Sequence, residues 1–311
     1  RLDASLPLIR DPQGAFPALP PRGPIDALLT WTGPMASLMA LADLPGQRLT
    51  GDAEIALSAE GDISAPQISG HARISNGTFE NFETGTAMRD LSLNIEGRRS
   101  EVLNFTMNAR DNASGSLTAE GTISLAASAE RAADIRARFA NMRMVSRRDL
   151  VLAVEGDLAL TGRVLPPRLD DPLKLEGNLT TTEARYLIPQ QLPGGISTID
   201  VIIVQGPDEA DAVEEPEETR PLPLELDVTL AIGNPPARVA GRGVDSLWTG
   251  SVRVTGLAED PVVRGTLTSE RGTLDFAGKT FTLSRGRVVF AGERPIDPRL
   301  DIALDYARSD F

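Results

Sequence analysis

The stretch that decides the fold runs Leu-Pro-Leu-Glu-Leu-Asp-Val-Thr-Leu-Ala-Ile over residues 222–232. Large apolar residues occupy every second position, and Glu225, Asp227 and Thr229 lie between them. Because successive side chains of a β-strand point to opposite faces, this alternation predicts a strand with one apolar and one polar face. The same period of two recurs along most of the chain, which predicts an all-β protein.

An irregular phrase occurs twice in the chain, with a constant spacing of its glycines and proline. The first copy contains Gly61, Ile63, Pro66, Ile68, Gly70, Ala72, Gly77, Thr78 and Phe79. The second copy contains Gly256, Leu257, Pro261, Val263, Gly265, Leu267, Gly272, Thr273 and Leu274. A weaker third version begins at Pro172 and includes Leu175 and Gly177. Each copy has the pattern of a strand, a turn and a second strand. Repeats of such a unit predict an elongated body in which the units stack on one another.

Few segments are helical in pattern. Residues 34–44 are the best helix candidate, because Pro34 suits a first turn, Met35 and Leu38 have helical spacing, and Pro45 with Gly46 ends the run. Residues 131–139 fit a short helix or a strand, and the alternation there favours a strand. Alternating strands joined by short turns are typical of antiparallel meanders.

The predicted strands each have one apolar face, but the sequence offers almost no amphipathic helix to cover a sheet. The apolar faces must therefore close on each other, as in a sandwich, barrel or solenoid, or enclose an apolar guest. The alternation alone favours a packed core.

Composition excludes several classes of protein. The chain has 311 residues, a formal net charge of -13 and no cysteine. The negative charge argues against a nucleic-acid partner, and the lack of cysteine excludes disulfides and thiolate sites. The sequence starts at Arg1 without a signal stretch and contains no apolar run of about 18 residues. We expect a segment of a longer protein whose membrane anchor lies elsewhere.

Two regions are predicted to lie outside the regular sheet. Residues 1–24 are rich in proline and predict an irregular or weakly strand-like lead-in before a repetitive segment, 25–311. Residues 206–220 contain seven carboxylates and no Lys or Arg except Arg220, which predicts a flexible, dispensable acidic loop. A calcium site is the alternative for this run, although it lacks the spaced ligands and glycine of a cation loop.

The sequence offers little catalytic chemistry. His71 is the only histidine, and its repeat equivalent is Thr266, which predicts a solvent-facing position. One histidine cannot form a multi-histidine metal site and leaves little for a catalytic triad. Glycines around Arg242 lack the strand–loop–helix context of a phosphate cradle and indicate a turn. A pair of carboxylates of the glycosidase type stays an alternative, but the aromatic residues that would stack on a sugar are sparse. We expect no enzyme, no cofactor and no catalytic or metal-binding residue.

The last third of the chain resembles a known family. The relevant motifs are Gly-Arg-Gly-Val-Asp-Ser-Leu-Trp-Thr-Gly at 241–250, Pro-Val-Val-Arg-Gly at 261–265, Arg-Gly-Thr-Leu-Asp-Phe-Ala-Gly-Lys-Thr-Phe at 271–281, Arg-Gly-Arg-Val-Val-Phe at 285–290 and Asp-Pro-Arg-Leu at 297–300. In this order they are similar to the C-terminal region of the TamB family, the translocation and assembly module subunit. Weaker similarity extends back to Trp31-Thr-Gly-Pro34 and to residues 45–51. The acidic loop departs from the family pattern.

The resemblance implies a periplasmic protein, held in the inner membrane of a bacterium by an N-terminal helix outside this sequence. It also implies a mainly antiparallel sheet curled into an open apolar trough, the β-taco of AsmA-like and bridge-like lipid carriers. Strands of six or seven residues would span about 20 Å, close to the acyl depth of one leaflet. The expected cargo is phospholipid acyl chains, which would contact apolar strand positions. The expected lining residues are Ile55, Leu57, Leu91, Leu93, Ile95, Phe105, Leu158, Leu160, Leu224, Leu226, Val228, Leu230, Val252, Val254, Val263, Leu267, Leu274, Phe276, Phe281, Leu283, Ile302 and Leu304.

Two other functions remain open. The chain could assist assembly of outer-membrane β-barrel proteins or autotransporters with an Omp85-type (TamA-like) partner, by offering sheet edges to an incoming strand. The resemblance suggests that this partner binds a C-terminal part of the family beyond Phe311. Alternatively, the chain could be a structural β-solenoid with a dry core. Bound phospholipid would distinguish the conduit from the solenoid.

Overall fold

The computed structural model describes residues 2–5, 23–42, 46–62, 65–124, 133–163, 172–190 and 224–307. These residues form one 15-stranded sheet and one short helix. The strands are β1 (Leu2–Ser5), β2 (Pro24–Pro34), β3 (Gln47–Asp62), β4 (Ala65–Asn81), β5 (Thr86–Ser100), β6 (Val102–Asp111), β7 (Ser116–Ser124), β8 (Ala133–Ser146), β9 (Leu150–Gly162), β10 (Leu173–Leu187), β11 (Leu224–Gly241), β12 (Val244–Leu257), β13 (Val262–Phe276), β14 (Lys279–Ala291) and β15 (Arg299–Asp305). The helix is α1 (Met35–Ala42), between β2 and β3.

The strands follow one another in the sheet in the order of the chain. Every neighbouring pair is antiparallel except β10 and β11, which are parallel, with Leu175 opposite Leu226. A parallel pair requires the chain to return to the strand's starting end before it pairs again. The predicted meander is therefore confirmed with one exception, and the connection that makes this exception includes residues 191–223, outside the described residues.

The predicted local elements are largely confirmed. The helix occupies Met35–Ala42, inside the predicted 34–44, and Pro34 ends the preceding strand. The ambiguous segment around Ile135 is a strand, as its alternation favoured. In the lead-in, Leu2–Ser5 pairs with β2. The acidic run at 206–220 lies outside the described residues.

Strand length is where the sequence-based expectation was wrong. Most described strands are longer than six or seven residues; β11 has 18 and β4 has 17, whereas β15 has seven. The cause is a change of phase within single strands. In β14, Phe281 and Leu283 alternate on odd positions but Val288 and Phe290 on even ones, and the register with β15 shifts between Leu283 and Arg285. One long strand with a bulge therefore resembles two short strands in sequence.

These bulges form a line of bends across the sheet, which we call the crease. The register shifts on β4, β5 and β8, and backbone φ is positive at Asn76 (52°), Asp90 (49°) and Asn141 (49°). At β8 the bent backbone is fixed by side chains, because Asn141 Nδ2 donates to Ser114 Oγ at 2.8 Å and Thr182 Oγ1 donates to Asn141 Oδ1 at 2.6 Å. Bulges bend strands and increase their twist, so the crease curls the sheet into an open trough.

The repeated phrase marks equivalent strand–turn–strand units. Its first copy spans the end of β3, the hairpin and β4, and its second spans the end of β12, the hairpin and β13. Gly70 and Gly265 hold the same place in these copies, with φ of 110° and 151°. A Cβ at either position would overlap a backbone oxygen of the preceding strand, that of Ala56 or that of Ser251. Glycine is needed there because two backbones approach closely.

The glycine requirement predicts a large difference between two Gly→Ala variants. We expect Gly265→Ala to lower the free energy of unfolding by about 2 kcal/mol or more, because the added methyl group overlaps backbone at an unfavourable φ. Gly233 is the matched control, since a Cβ there meets no atom within 4 Å. Gly233→Ala should be neutral or slightly stabilising. Urea unfolding measures both, and a neutral Gly265→Ala would contradict this explanation of the repeat.

Candidate functional site: the apolar face of the trough

The strand register places one apolar residue from each of eleven neighbouring strands in a single line, which we call the first row. The first row is Trp31, Ile55, Ala72, Ile95, Phe105, Gly121, Ile135, Leu160, Leu175, Leu226 and Gly256. Neighbouring strands lie about 4.8 Å apart, so this line is about 50 Å long. The first row contains no charged residue, and it runs through the chain from Trp31 to Gly256.

Two further lines on the same face run beside it, displaced by two residues along each strand. The second row is Gly33, Ala53, Ile74, Leu93, Met107, Ala119, Ala137, Leu158, Gly177, Val228, Val254 and Val263. The third row is Ala109, Leu117, Phe139, Gly156, Leu179, Leu230, Val252, Gly265 and Phe290. One face of the sheet is therefore apolar across most of its strands.

The opposite face is polar and carries paired charges. The line that alternates with the apolar rows is Thr32, Glu54, Arg73, Asn94, Thr106, Glu120, Arg136, Ala159, Glu176, Asp227 and Thr255. Arg253 donates two hydrogen bonds to Asp227, both at 2.7 Å, and these bonds with the guanidinium charge lower the pKa of that carboxyl. Exposed pairs of this kind keep the outer face hydrated and contribute little to stability.

Every predicted lining residue lies on the apolar face. Leu226, Val228, Leu230, Val252 and Val254 are half-buried. Phe276 is 66% exposed. These side chains are therefore not sealed in a close-packed sandwich core. Their contact with lipid stays a prediction.

Some members of the rows were missed by sequence reasoning. Trp31, Ile135 and Leu175 belong to the first row but were not in the predicted lining set. All three stand in alternating or repeated segments, so the signal was present. Gly121 and Gly256 could not be recognised as part of an apolar face, because only the register reveals where a residue without a side chain lies.

Part of the apolar face is closed by packing along the crease. The packed cluster consists of Ile74, Leu91, Ala109, Leu117, Phe139, Met142 and Val154, each no more than 9% exposed. It includes one predicted lining residue, Leu91, which is 5% exposed. The cluster forms because β5 and β8 meet beyond the shorter β6–β7 hairpin. Thr86 Oγ1 donates to the Met144 carbonyl oxygen at 2.6 Å, and Ser146 N donates to the Thr84 carbonyl oxygen at 2.9 Å.

A buried carboxylate fixes the β6–β7 hairpin beneath this contact. Asp111 is 7% exposed and accepts backbone N–H bonds from Ala113 at 2.7 Å, Gly115 at 2.8 Å and Arg143 at 3.0 Å. Burial alone would raise the pKa of Asp111, but the three backbone donors and the Arg143 charge outweigh it, and the pKa lies below its ordinary value. Asp111 thereby connects the hairpin to β8.

The other groups that the sequence singled out lie in a strand and in a turn. His71 lies on the polar face, where its Nε2 is 3.4 Å from a Glu54 carboxylate oxygen and its side chain is 25% exposed, so it is more covered than predicted. Arg242 and Gly243 form the β11–β12 turn, as the sequence indicated. Among the described residues, no group of three His, Cys, Asp or Glu side chains could hold a metal ion. No helix in this part of the chain is long and apolar enough to cross a membrane.

A single open, curled sheet with one apolar face defines the β-taco class of proteins. The family model of the TamB C-terminal domain matches residues 104–310, about two thirds of the chain. The chain therefore belongs to the TamB family, as the motifs between Gly241 and Tyr306 indicated. This family comprises transport and assembly components of the bacterial envelope. No curated protein and no solved structure matches the chain at a significant level.

The role of Asp111 predicts a specific dependence of stability on pH. Its lowered pKa means that its stabilising contribution is present at neutral pH and is lost as the pH falls below about 4 through the folded-state value. We expect Asp111→Asn to lower the free energy of unfolding at pH 7 by about 2 kcal/mol, the scale of hydrogen bonds to a charged group. The deficit should shrink towards pH 2.

The matched control for this measurement is Asp157→Asn. Asp157 is also paired, with Arg138 at 2.9 Å, but its side chain is 68% exposed. Urea unfolding across this pH range should give nearly the same curve for this control as for the wild type. A deficit in Asp111→Asn that stays constant with pH would contradict the assignment.

Proposed function

We propose that the chain is a periplasmic bridge module that carries phospholipids between the inner and outer membranes along its apolar face. The observation that carries this proposal is the first row, an unbroken apolar line across eleven strands that is half-buried at every position. A dry core would bury these side chains, and a surface that only faces water would not be apolar over such a length.

The energetics of acyl chains favour such a surface. Each buried methylene contributes about 0.8 kcal/mol, without directional bonds. Lipid tails can therefore be held by many equivalent contacts and can move along the rows without breaking specific interactions. Headgroups would remain in water at the open side of the trough. No covalent chemistry is needed, and the proposed mechanism is passive sliding.

The cellular setting follows from family membership as part of the same proposal. The full-length protein would be anchored in the inner membrane by a segment outside this sequence and would extend through the periplasm. An Omp85-type (TamA-like) protein would be its outer-membrane partner.

Assembly of outer-membrane β-barrel proteins is a second candidate function, and the last strand favours it. Among the described strands, β15 pairs only with β14, so one edge of β15 is open. Leu300 is 65% exposed and Ile302 is 49% exposed. An open strand edge with apolar side chains is suited to pairing with an incoming strand.

The test of lipid carriage uses one charge on the apolar face and one on the polar face. Purified protein is analysed by native mass spectrometry and lipid extraction, and transfer of fluorescent phospholipid between vesicles is measured. In Val254→Asp the charge lies between Val228 and Val263 of the second row. We expect this variant to lose bound lipid and transfer with little change in its thermal midpoint, because an open face leaves the carboxylate hydrated.

Thr229→Asp is the matched control, since Thr229 is adjacent to Val228 but faces Arg253 on the polar side. It should bind and transfer lipid as the wild type does. Wild-type protein that carries no phospholipid and transfers none would overturn the proposal. Specific crosslinks between β15 and nascent barrel strands, in protein free of lipid, would favour the assembly function.

A further inference from the structure

The rows of the apolar face differ in exposure. Every residue of the first row is half-buried. In the third row, Ala109, Leu117 and Phe139 are buried, with exposures of 2%, 7% and 8%. Beyond β8 the third row is more exposed, and Leu179, Leu230 and Val252 are half-buried. The buried part of the third row therefore lies on the strands around the crease.

Between β4 and β9, the part of the apolar face at the crease is closed to an acyl chain in two ways. Side chains of the packed cluster fill it, and Met35 of α1 packs against them. Polar groups also lie beside the packed cluster. Met88 is opposite Asp111 in the β5–β6 pair, and Val154 is opposite Thr181 in the β9–β10 pair. An alkyl chain there would have to displace packed side chains and pass a buried carboxylate, which is unfavourable.

The first row avoids both obstacles. Between β4 and β9 its members are Ala72, Ile95, Phe105, Gly121, Ile135 and Leu160. None is polar and none is sealed. Gly121 lies between Phe105 and Ile135, and a Cβ there would overlap the backbone oxygen of Asp134, so glycine lets β7 and β8 approach closely within the row. The first row lies four residues along each strand from the third row, a distance of about 13 Å.

We infer that acyl chains cross the middle of the trough along the first row, while the packed cluster stays closed. This inference rests on the proposed function and adds the path to it. The deepest line of the trough is a structural core, and the cargo-binding surface is the open wall beside it. Substitutions in the two regions should therefore have different consequences.

The path can be mapped without altering the protein. A phosphatidylcholine with a diazirine in one acyl chain is incorporated into vesicles, incubated with the full chain, photoactivated and located by peptide mass spectrometry. We expect adducts on first-row residues of β5, β6 and β8, including Ile95, Phe105 and Ile135. We expect none on Leu117 and Phe139. Adducts concentrated on those two cluster residues would overturn the inference, because they would require the cluster to open.

Neighbouring variants on β6 test the same path by function. Phe105 belongs to the first row, and Thr106 is exposed on the opposite face between Asn94 and Glu120. We expect Phe105→Asp to reduce transfer of fluorescent phosphatidylcholine by about tenfold or more, with a circular dichroism spectrum and cooperative unfolding like the wild type. Thr106→Asp should leave transfer unchanged.

The outcomes separate the path from the function. Transfer that survives in Phe105→Asp but is lost in Val254→Asp would overturn the inferred path and leave lipid carriage in place. If Phe105→Asp does not fold, Phe105→Ser and the photo-adduct map decide the question. Wild-type protein with neither adducts nor transfer would instead reject lipid carriage itself.

Discussion

The structure depends on one constraint, which is that, within the part of the chain the structure describes, a sheet with one apolar face has no second layer to cover it. The described part of the chain contains a single helix of eight residues, and it packs at one end of the sheet. Apolar surface of this extent is normally buried against another sheet or a row of helices. Here the sheet bends along its crease and buries only the part of the apolar face nearest the bend.

The crease divides the molecule into two regions with different physical roles. Around it, bulges, the Asp111 carboxylate and the contact between Thr86 and Met144 hold a close-packed cluster that stabilises the bend. Away from it, the rows remain half-buried and apolar. A bound apolar guest would supply the missing contacts, so the same sequence pattern that leaves the sheet incompletely covered suits it to carry lipid tails.

Much of this arrangement could be predicted from sequence, because alternation is a local property. The runs around Leu226 and Val254 indicated strands with one apolar face, and the glycine phrase indicated equivalent strand–turn–strand units. The crease was not predicted, because a bulge changes the phase of alternation and looks like a strand end. The meeting of β5 with β8, and the parallel pairing of β10 with β11, depend on contacts distant in sequence. Leu91 was consequently expected in the groove, although it lies in the packed cluster.

The central claim, that acyl chains occupy the open rows, is tested most directly by tryptophan fluorescence. The chain has two tryptophans: Trp31 begins the first row, and Trp248 is 8% exposed and bonded to Ser246. In a Trp248→Phe variant, emission reports Trp31 alone. Phospholipid brominated on its acyl chains should quench this emission strongly, whereas the same lipid without bromine should not. Unquenched Trp31 in protein that demonstrably holds the brominated lipid would contradict the account.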